Sequence, residues 1–261
     1  MYHAFGDESC DQKIVCYGMI LIPEEEREEA ENILRAVKLE FDGQLGCALH
    51  CRSMFVPAAR EKTQWAHLDS KQVITLYETL FIKLQKLKFR NLVATAHLAN
   101  FPKELPSLQM KHIDPTNPSF VSTNKMQLSE KQFSVWCAQG LMFHLSINPG
   151  LDNIRFWLDP DKTKIDWLMN RQQTSLATSA FFADVGPGRE PTQPIIMPIS
   201  DQKPALLEIA DSIAYMVRRS KTKPTTALTL SFQKLHKIIS PEEIEFVIAP
   251  NGAYAFRTLR N

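Results

Sequence analysis

Short apolar runs alternate along the chain with longer segments in which apolar residues recur every three or four positions. The short runs are rich in β-branched and aromatic residues and predict strands over residues 2–7, 13–22, 91–98, 154–158 and 193–199. The longer segments have helical periodicity and predict helices over residues 24–41, from residue 70, and over 129–145, 165–180 and 204–219. This alternation is typical of an α/β fold, in which helices flank a sheet.

Turn and capping residues mark the ends of several elements. Residues 9–12 are a plausible turn between the first two strands, and Pro-Asn-Gly at residues 250–252 separates runs 244–248 and 253–257, which predicts a C-terminal β-hairpin. Residues 101–120 contain four prolines and predict a long surface loop or lid. The sequence has no internal repeat and no linker, so we expect one domain over residues 1–261.

Composition narrows the class of protein. The 261 residues are 44% hydrophobic and 23% charged, which is ordinary for a globular domain. A net charge of +1 excludes a general electrostatic attraction to nucleic acid, so such a partner would need a local patch. No apolar run reaches the roughly 18 residues of a membrane span, so we expect no membrane partner. Five cysteines, an odd number, favour reduced thiols and a cytoplasmic location.

Acidic residues stand at three distant places in apolar surroundings. Asp7 and Asp159 each end a predicted strand, and Asp211 lies with Glu208 on one face of a strongly apolar helix. Carboxylates in such settings are costly unless a cation neutralises them. Hard oxygen ligands suit Mg²⁺ or Mn²⁺, and two such ions about 4 Å apart would clamp the oxygens of a phosphodiester displacement. Glu8 is a weaker candidate, because adjacent strand residues point to opposite faces.

Each of these acids also has a simpler interpretation. Asp7 could cap a hairpin turn, Asp159 could open the turn that Pro160 begins, and Asp211 could pair with a lysine or arginine. Ion-pair networks perturb carboxylates just as metal sites do. Spacing alone therefore leaves a metal site and three structural roles open.

One histidine and two cysteines form a second group of candidates. His50 could transfer a proton or contact a phosphate beside the acids, or it could be a packed loop residue. Cys47, His50 and Cys51 could instead bind zinc, although no second pair stands at the usual zinc spacing.

Two basic residues are candidates for a substrate phosphate. Arg218 follows Asp211 by seven residues, so both lie on one side of the helix, about 10 Å apart along its axis. Cations also favour a helix C-terminus for electrostatic reasons alone. Lys203, just before the same helix, is a candidate partner for a phosphate or a carboxylate.

Four of these features occur in a recognisable order. Phe-Gly-Asp-Glu-Ser at residues 5–9, Leu-His at 49–50, the strand-end Asp159 and Leu-Glu-Ile-Ala-Asp-Ser-Ile-Ala at 207–214 span nearly the whole chain. The set resembles a widespread microbial family known as domain of unknown function 3800. The resemblance implies a ribonuclease H-like mixed sheet flanked by helices, with Asp7, Asp159 and Asp211 as its acidic metal site. Cys10 and Glu208 depart from the family pattern, which usually has glycine and often glutamine there.

The acids and the resemblance together predict a divalent-metal-dependent nuclease that hydrolyses phosphodiester bonds in DNA or RNA. One alternative is a non-catalytic module that binds nucleic acid or protein in a mobile-element or phage-defence system. Another is a phosphatase or a nucleotide hydrolase. The sequence contains neither a Gly-x-x-x-x-Gly-Lys phosphate loop nor a Gly-x-Ser-x-Gly elbow, which disfavours classical NTPases and serine hydrolases.

Overall fold

A mixed β-sheet forms the centre of the computed structural model. The structure describes residues 1–44, 46–102, 129–148, 150–151, 153–158, 195–197, 203–221, 226–248 and 254–259. The strands are β1 (Tyr2–Cys10), β2 (Ile14–Pro23), β3 (Arg90–His97), β4 (Ile154–Leu158), β5 (Ile195–Ile196), β6 (Glu242–Ile248) and β7 (Tyr254–Leu259). They pair in the order β5-β4-β1-β2-β3-β6-β7.

Helices follow and separate these strands. After a 3₁₀ turn at Glu24–Glu26, the helices are α1 (Arg27–Glu40), α2 (Cys51–Phe55), α3 (Pro57–Arg60), α4 (Ser70–Leu84), α5 (Glu130–Ser146), α6 (Leu207–Ser220) and α7 (Ala227–Ile239). The α/β class and the mixed sheet flanked by helices are therefore confirmed. In the part of the chain that the structure describes, no helix combines the length and hydrophobicity needed to cross a membrane.

Strand direction places several carboxyl ends at one edge of the sheet. β1 pairs antiparallel with β2, and β2 antiparallel with β3. β4 runs parallel to β1, and β6 runs parallel to β3. As a result β1, β3, β4 and β6 all end at the same edge, which is where α/β proteins form their ligand crevices. β6 and β7 pair antiparallel as the predicted C-terminal hairpin, and the Pro-Asn-Gly residues between them lie outside the described residues.

Each face of the sheet has its own apolar core. Phe5, Ile20 and Val93 pack with apolar residues of α1, α4, α6 and α7 on one face. Ala4, Tyr17 and neighbouring strand residues pack against α5 on the other. The alternation of strand side chains thus assigns every position of β1 to one of the two faces.

The first strand is longer than its sequence predicts. The carboxylate of Asp11 accepts the backbone N–H groups of Lys13 at 2.8 Å and Ile14 at 2.9 Å. This side-chain turn begins later than the predicted turn at residues 9–12, so Ser9 and Cys10 still pair within the sheet. Asp7 consequently lies inside β1 and does not end it, which corrects the expected boundary.

Other boundaries agree more closely, although the short helices α2 and α3 have no counterpart in the prediction. α5 begins as predicted, with the Ser129 side chain capping it through the Gln132 N–H at 3.3 Å. α7 is absent from the prediction, and α6 begins three residues later than expected. The predicted loop at 101–120, the helix at 165–180 and most of the strand at 193–199 lie outside the described residues.

Polar contacts fasten β6 to its neighbours. Arg90 of β3 donates two hydrogen bonds to the Glu242 carboxylate at 2.7 and 2.8 Å, and His144 of α5 lies 4.0 Å from it. The interactions with His144 and Arg90 lower the pKa of Glu242 from 4.5 to about 2. The carboxylate therefore stabilises the fold in its ionised form.

Candidate functional site

A glycine on β2 brings α6 unusually close to the sheet. A Cβ atom at Gly18 would lie 2.7 Å from the Ala210 carbonyl oxygen and 2.7 Å from the Ala214 nitrogen. In the antiparallel register, Gly18 is the partner of Asp7. Because such partners have Cα atoms about 5 Å apart, the Asp7 Cα lies within about 10 Å of the Ala210 carbonyl oxygen. Asp211 is the next residue, so the backbones that carry two of the predicted acids are neighbours where α6 packs on the sheet.

Asp7 and α6 also occupy the same face of the sheet. Phe5 belongs to the core beneath α6, and the Ser9 hydroxyl accepts a hydrogen bond from the Arg218 Nε of α6 at 3.0 Å. Asp7 lies between these two residues with the same alternation, so its side chain points toward α6. Both Asp7 and Asp211 are half-buried. Glu8 lies on the opposite face, as the alternation predicts.

The third predicted acid follows a strand that ends beside Asp7. Leu158, the last residue of β4, pairs in parallel register with Gly6, the residue before Asp7. Asp159 itself lies outside the described residues. Its part in the site therefore stays a prediction.

Residues 47–51, which we call the His50 segment, are fixed on α6 by backbone hydrogen bonds. The Leu49 N–H donates to Glu208 Oε2 at 2.8 Å, and the Cys51 N–H donates to Asp211 Oδ2 at 2.9 Å. Leu49 and Cys51 are fully buried, whereas His50 between them is exposed. The segment thus presents the imidazole to solvent on a backbone that is anchored on both sides, next to the two acids of α6.

A buried lysine, not predicted from the sequence, completes this arrangement. Lys38 Nζ of α1 lies 2.7 Å from Glu208 Oε2 and 2.9 Å from Oε1, and only 5% of the lysine side chain is exposed. Both carboxylate oxygens of Glu208 are therefore in contact with a donor. Metal binding by Glu208 stays a prediction. A signal for Lys38 does exist in the sequence, since it follows Leu34 by four residues within the apolar stripe of α1.

The two thiols of the His50 segment have partners of their own. Cys51 Sγ donates to the Tyr77 hydroxyl at 3.3 Å, and Cys47 Sγ donates to Gln64 Oε1. Burial raises the pKa of Cys51 and of Tyr77 well above their usual values, so both stay protonated.

The described residues contain no group of three or more histidine, cysteine, aspartate or glutamate side chains arranged to hold a metal ion. Cys47, His50 and Cys51 are all among them, so they do not form the alternative zinc site. Asp7, Glu208 and Asp211 are also among them, so these three carboxylates do not form a metal-binding group by themselves; Asp159, the other member of the predicted set, lies outside the described residues. All five cysteines are free thiols.

The two predicted phosphate contacts lie at opposite ends of α6. Arg218 is buried at its C-terminal end, where it bonds Ser9 and Asp11, and its guanidinium carbon stands 5.2 Å from the Tyr215 ring centroid. Lys203 is exposed just before the helix begins. Arg218 therefore joins α6 to the β1–β2 turn, and phosphate binding by either residue stays a prediction.

The candidate site lies in an α/β protein. Its helix α6, which carries Asp211, packs on the sheet beside β1, which carries Asp7. No protein-family model matches the chain, and no curated protein or solved structure matches it either. The resemblance to domain of unknown function 3800 accordingly rests on the sequence motifs.

Proposed function

We propose that this protein is a divalent-metal-dependent nuclease with a ribonuclease H-like fold, in which Asp7, Asp159 and Asp211 hold Mg²⁺ or Mn²⁺. The observation that carries the proposal is the close packing of α6 on Gly18, which brings the backbone next to Asp211 close to the strand face that carries Asp7. Two acids far apart in the chain are carried there by neighbouring backbone segments, near the edge of the sheet at which the parallel strands end. The donor set is all oxygen, which fits these hard cations.

The register of β4 supports Asp159 as the third ligand. Leu158 pairs with Gly6, and Asp159 and Asp7 are the residues that follow them. Consecutive Cα atoms are about 3.8 Å apart, so β4 delivers the chain to within reach of Asp7.

Each group in the site has a chemical task under this proposal. Bound ions supply an activated water and neutralise charge on the phosphate. The Cys51 N–H orients the Asp211 carboxylate, in the way that outer hydrogen bonds orient metal ligands. His50, which is exposed and precedes the Cys51 N–H that binds Asp211, would donate a proton to the leaving oxygen or bind a phosphate.

The test is cleavage of labelled single- and double-stranded DNA and RNA with and without Mg²⁺ or Mn²⁺. Asp7→Asn, Asp159→Asn and Asp211→Asn should each lower the rate by more than about 100-fold, since losing even an outer partner of a metal site costs about 10- to 100-fold. Asp42→Asn is the matched control, because Asp42 is exposed and has a φ of 56°, a conformation that asparagine also adopts.

Two results would contradict the proposal. The first is cleavage that survives both Asp159→Asn and Asp211→Asn. The second is the absence of Mg²⁺ and Mn²⁺ binding in calorimetry while nucleic-acid binding is retained, which would favour the non-catalytic module.

A further inference from the structure

The Lys38 ammonium is costly to bury, even though its partner Glu208 keeps 21% of its side chain exposed. Lys38 is 4% exposed as a residue, and its ammonium group reaches both oxygens of one carboxylate. Replacing such pairs by apolar residues often leaves stability unchanged or improves it, so a buried pair is weak evidence for a stabilising role. The contacts of the pair instead indicate that Glu208 has a second role besides neutralising the lysine.

Glu208 joins three elements at one point. Its carboxylate binds Lys38 of α1 and the Leu49 N–H of the His50 segment, and it belongs to α6 itself. One helical turn further on, Asp211 binds the Cys51 N–H. The two N–H groups flank His50, so two carboxylates three residues apart on one helix face hold the backbone on both sides of that residue.

Other bonds hold the same segment without reaching the acids. The Trp65 Nε1–H donates to the Ala48 carbonyl at 3.1 Å, and the Cys51 thiol bonds Tyr77. Because Trp65 and Tyr77 are buried, these bonds fix the depth of the segment. Residues of α6 contact the segment directly: Glu208 and Asp211 accept its backbone N–H groups, and the Ser212 hydroxyl bonds the Cys51 thiol.

We propose that Lys38 and Glu208 are a positioning pair that holds His50 in place beside Asp211. The inference rests on the proposed function only in taking His50 and Asp211 as reacting groups. Lys38 fixes the Glu208 carboxylate, and Glu208 in turn fixes the Leu49 N–H. Glu208 is then a residue that orients the site and not a metal ligand.

Residue-resolved amide hydrogen exchange by NMR tests the pair without any assay of activity. Lys38→Met leaves the Glu208 charge without its cation and should speed exchange of the Leu49 and Cys51 amides about tenfold or more. Adding Glu208→Gln should return both rates to within about threefold of the unaltered protein, because an amide oxygen still accepts the Leu49 N–H and no unpaired charge remains.

The chain offers a matched control in an exposed pair of the same residue types. Lys83 and Glu40 lie 2.6 Å apart between α4 and α1, and their side chains are 38% and 49% exposed. Lys83→Met, alone or with Glu40→Gln, should change the Leu49 and Cys51 exchange rates less than about twofold, since exposed pairs contribute little. Equal exchange in Lys38→Met and Lys83→Met would overturn the proposal.

Metal titration and kinetics test independently whether Glu208 is a positioning residue or a metal ligand. The Lys38→Met/Glu208→Gln variant, in which an amide oxygen still accepts the Leu49 N–H and no unpaired charge remains, should keep the Mn²⁺ affinity within about threefold; a larger loss would make Glu208 a ligand and overturn the positioning role. Lys38→Met should lower kcat about tenfold with KM nearly unchanged, and the double variant should recover most of the loss. If the unaltered protein neither binds Mn²⁺ nor cleaves nucleic acid, the proposed function fails, and amide exchange alone decides the positioning pair.

Discussion

Gly18 is where the contact between α6 and the sheet is most sensitive to one added atom. In Gly18→Ala the new Cβ would lie 2.7 Å from two backbone atoms of α6 and 3.1 Å from the Ala214 Cβ. Backbone atoms of a helix cannot rotate away as a flexible side chain can. The helix or the strand must therefore shift by several tenths of an ångström.

The expected cost follows from that geometry. Overpacking a well-filled core destabilises by about 1–3 kcal/mol, and contact with backbone atoms favours the upper end. Each kcal/mol corresponds to roughly 2–4 °C in a chain of this size, so a loss of about 3 kcal/mol should lower the melting temperature by about 6–12 °C. The same shift moves Asp211 relative to Asp7, so any metal-dependent cleavage should fall about tenfold or more.

Thermal unfolding followed by circular dichroism measures the first effect, and cleavage kinetics measure the second. Gly46→Ala is the control, because nothing lies within 4 Å of a Cβ built there. It should change stability by less than about 1 kcal/mol. If Gly18→Ala and Gly46→Ala unfold at the same temperature, the close seating of α6 on β2 is refuted.

Three further outcomes are expected. Asp211→Ala leaves the Cys51 N–H without its acceptor and should cost about 1–3 kcal/mol in urea unfolding, whereas Asp211→Asn, which keeps an acceptor, should cost clearly less; equal losses would contradict the bond. The Glu242 pKa is about 2 in the fold and 4.5 ordinarily, so its stabilisation is complete above pH 4.5 and is lost as pH falls toward 2. Glu242→Gln should flatten that acid limb, and an unchanged limb would contradict the assignment. Burial raises the thiol pKa values of Cys51 and Cys137, so alkylation at pH 8 read by mass spectrometry should modify them only after unfolding.

Local sequence signals predicted where the strands occur more accurately than the residues at which they end. β4 occupies the residues that its apolar run indicates, because that short apolar segment has polar residues on both sides. β1 runs further than predicted, because the turn depends on which side chain accepts the backbone N–H groups of residues 13 and 14. The prediction omits α7 even though Phe232, Leu235 and Ile239 follow a helical period and Thr226 caps it.

The candidate site also contains residues that the sequence could propose and a contact that it could not. Asp7 and Asp211 could be proposed as neighbours because their motifs occur in a family order, and in the structure α6 packs on the strand that pairs with β1 at Asp7. The partnership of Lys38 with Glu208 could not be predicted, since the residues are 170 positions apart and no local pattern links them. Contacts of this kind arise from tertiary packing, which periodicity and capping do not encode.

The seating of α6 also has a consequence for the order in which the protein folds. The bonds from α6 to the His50 segment close loops of 159 and 160 residues. At a synthesis rate of about 5–20 residues per second, β2 leaves the ribosome roughly 10–40 s before α6 does. Throughout that interval Phe5, Ile20 and Ile22, which are fully buried in the finished protein, lack the helix that covers them. The candidate site and the cover over these apolar residues therefore form in the same late step, when α6 docks. Variants that slow this docking should reduce the yield of folded protein more than they reduce the activity of the molecules that do fold.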